Sequence, residues 1–532
     1  MRFPPIKLPL AYALLSAPYL WLGIWLLRHD GLACTAGYFI ADGLIVASLW
    51  FAVARPRPFL WLNLPMFVLG MAFAIFTLIQ DTLPSYPIAF VLLTSSLEEA
   101  IGFFSVWENQ RLLLGLLGIV TIYVYLAFCA PARPRKRHVD PRWRWAAIGV
   151  FAAATGVAAG DPGRFIEGVA DSPLIGTIAF VAGPLSAARQ TIEGAYRTKV
   201  PYAAARVRDA EVHIVVIGES SRRASWGIYG YSRPTTPYLE SIRSETVFFD
   251  AATADGNATA FAVPILMTGI GPEELHIRYI QGNLVDLAKE AGYFTSWLVN
   301  NDASVSYLMG MKADKAVYPH STTTSIARTS PPDGLLLPEF ARQLARTDER
   351  KFIGLHLFGS HFSYANRYPP SFARWGARGT SIATGYSGQA LIDGYDNSIL
   401  YTDWFLQQVI EAARRLEVPA TVTYVADHGE ELPSLDGRSG HGFTTYTAKS
   451  FDIPAFIWMN AAYRNAHPDK VEGLIANEHK LVRSHDFFYT LADIMGIRWP
   501  GYFAERSFAS RSFAVDARSR YLAGGVLVAR TD

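Results

Sequence analysis

The stretch HIVVIGESSRRASWGIYGYSRPTTPYL, residues 213–239, opens on an apolar, largely β-branched run, His213 to Ile217, and breaks at Gly218-Glu219-Ser220. A run of this kind without alternation is the pattern of a strand buried on both faces. A carboxylate just past such a strand sits at the carboxyl edge of a sheet, where open α/β folds place their ligands. Downstream, short β-branched runs at 294–299, 352–358, 421–425 and 454–458 alternate with helical patterns at 261–268, 283–291, 337–346, 395–415 and 484–495. That alternation predicts an α/β sandwich around a largely parallel sheet over residues 207–532.

Three further segments put chemically useful residues at the end of a predicted strand or the start of a helix. Asp427-His428-Gly429-Glu430-Glu431 follows the run Thr421–Val425, with Ser439-Gly440-His441-Gly442 a little further on. An Asp-His-Gly triplet alone is usually a turn, and Glu219 alone fits any helix N-terminus. Both after predicted parallel strands point to one mixed carboxylate–imidazole site suited to a cation such as Zn²⁺. Asp255-Gly256-Asn257-Ala258-Thr259 leads into Val263-Pro264 and a helix. Thr259 there is either a plain N-cap or a nucleophile facing backbone N–H groups that suit phosphate, activated by a cation. Thr253, Ser220 and Ser221 compete for the nucleophilic role. His356-Leu357-Phe358-Gly359-Ser360-His361 supplies the imidazoles. His361 and His441 lie in expected loops, free to donate to phosphate oxygens, move a proton or hold a second cation. His356 lies inside a strand pattern and reads as structural or as a support behind the site's ligands, while His138, His213 and His485 read as structural.

Upstream the composition changes. The chain has 532 residues, 51% of them apolar, a net charge of +2 and a mean hydropathy of +0.16. The apolar excess is concentrated in the first third, and the near-neutral charge gives no reason to expect a nucleic-acid partner. Five stretches approach the ~20 residues that a bilayer core requires: 8–27, 35–54, 59–79, 112–130 and 145–160. Lys and Arg cluster before the first, between the second and third, and between the fourth and fifth, which places those segments on the cytoplasmic side. Residues 1–160 are therefore expected to form an all-α transmembrane domain, 161–206 a helical linker, and 207–532 an exported domain, periplasmic in a Gram-negative cell. The first stretch is too long, and too closely followed by others, for a cleaved signal peptide. Segment 80–111 falls on the outer face, as an interfacial helix pair or as a headgroup site with Glu98 or Glu99 toward a cationic group. Only Cys34 and Cys129 occur, so the exported part has no disulfide and relies on its core.

Taken together, these residues resemble the alkaline phosphatase and sulfatase superfamily, and within it the membrane-anchored phosphoethanolamine transferases that modify lipopolysaccharide. The resemblance runs over nearly the whole chain. It is carried by Gly218-Glu219-Ser220, Tyr229 to Pro237, Thr259 before Val263-Pro264, His356 to His361 with Tyr364 and Arg367-Tyr368-Pro369, Tyr395 to Asp403, and Ala426-Asp427-His428-Gly429-Glu430. It implies one zinc ion on Glu219, Thr259, Asp427 and His428, a second being left open, and a phosphoethanolamine group carried on Thr259. It also implies a substrate site of His361, His441, Asn301, Glu430 and Glu99. Ser95 stands in the outer-face motif where the family has Asn. The loop Asp302 to Tyr307 lacks the family's lysine, and Lys312 fits that role poorly. Asp255 and Ile265 stand where lipid A-modifying members have flanking cysteines, and the Tyr-Gly-Tyr and Thr-Thr-Pro wording leans toward core-sugar or glycan acceptors. Thr259 lacks the Cys/Ser-x-Pro-x-Arg context of a formylglycine sulfatase. The expectation is a monomeric, multi-pass inner-membrane enzyme that takes phosphoethanolamine from phosphatidylethanolamine to lipopolysaccharide or another glycan. The alternatives are a glycerol-phosphate transferase or phosphodiesterase with the same metal chemistry, and a non-catalytic envelope scaffold.

Overall fold

The computed structural model of the protein describes residues 7–29, 32–53, 55–80, 107–132, 140–159, 202–207, 209–275, 282–301, 304–318, 331–376, 388–432, 440–442, 446–515, 520–523 and 526–529. The outer-face segment with Ser95, Glu98 and Glu99, most of the linker, Asp302 and His138 lie outside the described residues. The chain divides into two compact units, one built from the helices up to residue 159 and one from residue 202 onward.

In the first unit, helices fall on each of the five expected stretches: Lys7–His29, Leu32–Val53, Pro56–Leu62 with Leu64–Gln80, Trp107–Cys129, and Pro141–Ala159. Among the described residues, two helices are long and apolar enough to cross a membrane, through Leu8–Trp25 and Arg111–Cys129. A third qualifies only if Pro56–Leu62 and Leu64–Ile75, bent by 50° at Asn63, count together. Two or three of the five expected spans thus meet this criterion among the described residues, and of Leu32–Val53 it covers only the part Gly43–Val53. The last helix falls short because it starts with Arg142 and Arg144 and continues in Ala and Gly. The unit's interior is aromatic. Phe67 stacks on Tyr123 at 4.2 Å, and Tyr123 donates to the Leu60 carbonyl at 2.7 Å. Leu114, Leu117, Ile122, Phe128, Trp143 and Trp145 face outward. Large apolar side chains on the outside suit a hydrocarbon or interfacial surround.

The second unit is built on a seven-stranded sheet. Its strands and those of two small sheets are β1 (Val212–Gly218), β2 (Thr246–Phe248), β3 (Ala251–Thr253), β4 (Phe294–Val299), β5 (Lys315–Val317), β6 (Lys351–His356), β7 (Ala420–Ala426), β8 (Ala455–Met459), β9 (Leu481–Arg483), β10 (Arg520–Ala523) and β11 (Val526–Ala529). The large sheet has the order β2-β8-β7-β1-β6-β4-β5. β8 runs antiparallel to both of its neighbours, and all the other neighbouring pairs are parallel. β3 pairs with β9, and β10 with β11. The central strand β1 is buried throughout, which is why its sequence shows no alternation. The core on the sheet includes Trp226, Leu298, Leu355, Tyr395, Phe405, Val422 and Trp458.

At the amino end of β1, buried Glu211 accepts from His213 Nε2 at 3.0 Å and from His467 Nε2. Burial pushes the Glu211 carboxyl up, but the two imidazoles outweigh it and hold the group down at about 2. The hydrogen bond to Glu211 raises His467 above its ordinary value. The signs set a window. Glu211's contribution is present above its unfolded value and fades as pH falls toward about 2. The His467 contribution is complete below its unfolded value of ~6.5 and is lost as pH rises through the folded one. The urea midpoint should therefore fall on the alkaline side of pH ~6.5, and His467→Gln should remove that fall and, with one imidazole gone from Glu211, move the acid-side loss to higher pH. Parallel curves for the two proteins from weak acid to weak base would sink this assignment.

Candidate active site

Four neighbouring strands, β7, β1, β6 and β4, end side by side, and each hands over a polar residue within five positions of its end. These are Asp427, Glu219, the loop ending at His361, and Asn301, and all four side chains are buried. The turns are tight by construction. Ser220 takes a left-handed φ of 52°, which lets its N–H donate to Asp427 Oδ1 at 3.1 Å. Gly359 has φ 50°, and a Cβ there would sit 2.8 Å from the backbone of Glu219. A Cβ on Gly429 would lie 1.9 Å from the Lys449 carbonyl oxygen. Only glycine permits those two approaches.

Thr259 is the first residue of helix Thr259–Thr268. Its Oγ1 donates to Glu219 Oε2 at 3.0 Å and lies 3.3 Å from His428 Nε2. His428 Nε2 is 3.4 Å from Glu219 Oε1 and 3.5 Å from Asp427 Oδ2. Ligands about 2.1 Å from one tetrahedral ion stand roughly 3.4 Å from each other, so this spacing is that of a preformed metal cage. Asp427 Oδ2 is buried with no hydrogen bond among the described residues, an orphan that a cation would satisfy. Charge says the same. Burial raises Glu219, but the hydrogen bond with His428 and the fields of His428, His361 and His441 hold it well below the usual carboxylate range. Burial, then the Glu219 charge, pushes Asp427 well above it. Two buried carboxylates crowd one place, and a divalent cation removes the conflict. The residues present fit a metal ion.

His356, read from its place in a strand as structural or as a support behind the site's ligands, lies under the same carboxylate. Its Nε2 is 3.9 Å from Glu219 Oε2, and neither ring nitrogen makes a hydrogen bond among the described residues. Burial lowers it to about 4. Glu219, His356 and Asp427 form one potential ligand group, and Glu219, His428 and His441 another. Asn301 Nδ2 donates to Glu219 Oε2 at 2.7 Å. His441 stacks near His428, with ring centres 4.4 Å apart, and His361 is 5.2 Å from His441. Glu430 is fully buried; it accepts from His441 Nδ1 at 2.8 Å and from the Tyr364 hydroxyl. That placement suits a brace on His441 better than a direct substrate contact. Among the rival nucleophiles, Ser220 Oγ is in the site, donating to Glu219 Oε1 at 2.7 Å. Ser221 accepts from Trp226 at 2.8 Å, and Thr253 is enclosed in β3. Lys312 pairs with Asp286. Glu99 lies outside the described residues.

Supports gathered from distant segments hold these groups. Asp333 accepts from Phe358 N at 2.8 Å and Gly359 N at 2.9 Å, which fixes the loop before His361. The segments 229–237 and 395–403 are partners: Asp396 takes Tyr231 Oη at 2.9 Å and Arg233 at 2.7 Å, and Asp403 takes the N–H groups of Tyr238 and Leu239. Tyr395 donates to the Ser220 carbonyl at 2.7 Å. Their work is to set the turn after Glu219.

A largely parallel sheet whose carboxyl edge carries buried acids, imidazoles and a helix-capping hydroxyl is the architecture of an α/β domain of the alkaline phosphatase type. The chain belongs to the sulfatase family, whose model matches residues 212–497. Phosphoethanolamine transferase EptC of Escherichia coli K12 is 26% identical over 321 residues, 57% of this chain and 54% of that protein. The chain spans about half the length of the curated relatives it matches. The integral membrane protein lipooligosaccharide phosphoethanolamine transferase A of Neisseria meningitidis superposes with a TM-score of 0.68 at 20% identity, over 95% of this chain and 98% of that one. The periplasmic domain of E. coli EptC, solved in complex with Zn, gives a TM-score of 0.54 at 22% identity, over 61% of this chain and 93% of that one. At these identities the two structures establish a shared fold.

Proposed function

We propose that the protein transfers phosphoethanolamine from phosphatidylethanolamine to a lipopolysaccharide sugar, lipid A or another periplasmic glycan, through a phospho-threonine on Thr259. The observation that carries the reading is the Thr259 hydroxyl 3.0 Å from Glu219 Oε2, at a helix N-terminus and inside a ligand cage. Glu219, Thr259, Asp427 and His428 would hold a zinc ion, with His441 or His356 available to a second. When bound, that ion supplies Lewis acidity, lowering the pKa of an alcohol and offsetting charge that builds on phosphoryl oxygens.

In the first half-reaction the Thr259 proton passes to Glu219 Oε2 along their hydrogen bond. The Oγ1–P bond forms as the bond from phosphorus to the diacylglycerol oxygen breaks, and that oxygen takes a proton from His361 or His441. Asn301 and the first N–H groups of helix Thr259–Thr268 present donors to the phosphoryl oxygens. In the second half an acceptor hydroxyl loses its proton to the same imidazole and attacks phosphorus as the Oγ1–P bond breaks, and Glu219 Oε2 returns its proton to Thr259 Oγ1. Glu430 on Nδ1 fixes the His441 ring and leaves Nε2 for the proton. The N-terminal helices keep the enzyme in the bilayer with its donor, so the search for a lipid is local. This reading makes it a multi-pass inner-membrane protein with its catalytic unit in the periplasm. The convergence of Glu219, Thr259, Asp427 and His428 counts against a scaffold that has lost its chemistry.

The test is to incubate the full-length protein in detergent with phosphatidylethanolamine alone and weigh its tryptic peptides. The expected result is a phosphoethanolamine adduct on the Thr259 peptide with diacylglycerol released. An adduct from phosphatidylglycerol but not from phosphatidylethanolamine would replace the donor with a glycerol-phosphate one. An adduct on Ser220 would move the nucleophile.

A further inference from the structure

Four residues before Thr259 the chain buries a carboxylate that takes no part in the chemistry. Asp255 is inaccessible, with one oxygen hydrogen-bonded and the other ion-paired. Its Oδ2 accepts from Ser484 Oγ at 2.8 Å, His485 N at 2.9 Å and His485 Nδ1 at 2.8 Å. Its Oδ1 pairs with Arg483, itself 2% exposed, stacked on Tyr521 at 4.8 Å and bonded to the Arg520 carbonyl. Its backbone N–H donates to Ser484 Oγ at 3.0 Å. His485 continues to Asp486 at 3.3 Å, and Asp486 to Arg506 at 3.3 Å.

The backbone around Asp255 is tied down as well. Leu522 N donates to the Asp255 carbonyl at 2.8 Å, Asn257 N to the Leu522 carbonyl at 3.1 Å, and Gly442 N to the Asn257 carbonyl at 2.7 Å. One small cluster therefore joins the loop that presents Thr259 to three other places. These are the β9-to-helix junction at Arg483–Asp486, the hairpin β10–β11, and the turn carrying His441. The hairpin lies beyond the family-matched residues 212–497. A buried ionic cluster is a costly way to gain stability, and this one sits where a nucleophile has to be held to a fraction of an ångström.

We propose that Asp255 is a positioning residue: with Arg483, Ser484 and His485 it locks the 255–259 loop so that the Thr259 hydroxyl stays within the Glu219–His428 cage. The proposal rests on the reading of Thr259 as nucleophile, and its test separates the two. The full-length protein in detergent is compared with Asp255→Asn, Ser484→Ala and the double variant Asp255→Asn/Arg483→Met, which leaves no buried guanidinium without its partner. Hydrogen–deuterium exchange reports the loop whatever the substrate. Expected in Asp255→Asn is exchange over 256–262 at least about tenfold faster, with β1 and β7 unchanged. The rate of adduct formation on Thr259 should fall on the order of 30-fold, with the donor KM within about threefold, as for a displaced reacting group. Because the residues act as a unit, the double variant should match the single within about threefold. Ser484→Ala should shift the same two readouts in the same direction, and it decides the matter if Asp255→Asn does not fold. An unchanged loop, or exchange raised evenly over the whole unit, overturns the proposal. A changed loop together with a wild type that forms no adduct keeps the brace and overturns the reading of Thr259.

Discussion

Thr259→Ala should lower transfer by at least about 10³-fold while leaving the fold intact, as removal of a covalent nucleophile does. The side chain is small and sits at the first position of its helix, so the loss is confined to one hydroxyl and its contacts with Glu219 and His428. Circular dichroism should match the wild type, and the adduct on the 259 peptide should vanish. Thr259→Ser should keep a measurable rate, because the hydroxyl remains in reach of Glu219 Oε2. The neighbouring hydroxyl sharpens the test. Ser220 Oγ touches the other oxygen of the same carboxylate at 2.7 Å, but its left-handed backbone leaves it without a helix N-terminus of its own. Ser220→Ala should therefore cost far less than Thr259→Ala. Full transfer by Thr259→Ala, or equal losses in the two variants, would end the assignment of Thr259.

Much of the catalytic unit could be read from the chain, because the signals were local. β1, β4, β6, β7 and β8 are runs of five or more residues with a buried face, and their expected limits lie within two residues of the observed ones. Glu219 and Asp427 could be placed because each follows such a strand, Thr259 because Pro264 marks the helix it opens, and Asn301 through the family resemblance. What stayed hidden depends on partners far away in sequence. β2, β3 and β9 are three residues long, too short to carry a period. Asp333 serves a loop 25 residues on. The segments 229–237 and 395–403 stood out separately, but nothing in either shows that Asp396 and Asp403 bind the first. The strand pattern leaves His356 either a core residue or a support behind the site, and only the fold shows its ring under Glu219. Hydropathy found the N-terminal helices, but Ala and Gly together with two arginines gave the last one less apolar character than a span requires.

Removing the cation should cost both activity and stability, and the second loss is the more telling. Without a metal, Glu219 and Asp427 remain buried side by side, one charged and one driven toward its protonated form, with Asp427 Oδ2 unsatisfied. A cation that binds only the folded state adds about 2.7 kcal/mol at a free concentration a hundredfold above its Kd, several degrees in melting temperature for a unit of this size. Dialysis against a chelator should lower the melting temperature by that amount and stop adduct formation, and added Zn²⁺ should restore both. Glu219→Gln should weaken the metal by at least about 100-fold, since it removes the one carboxylate shared by both potential ligand groups. It should also blunt the chelator's effect on melting, because less binding energy is left to lose. Thr259→Ala separates the two roles of the site: it keeps Glu219, Asp427 and His428 as ligands, so its melting should still respond to chelator although its chemistry is gone. If elemental analysis confirms that the wild type has been stripped of metal and its melting temperature does not move, the cage is held together by its hydrogen bonds alone. The buried pair would then have to share a proton in the working enzyme.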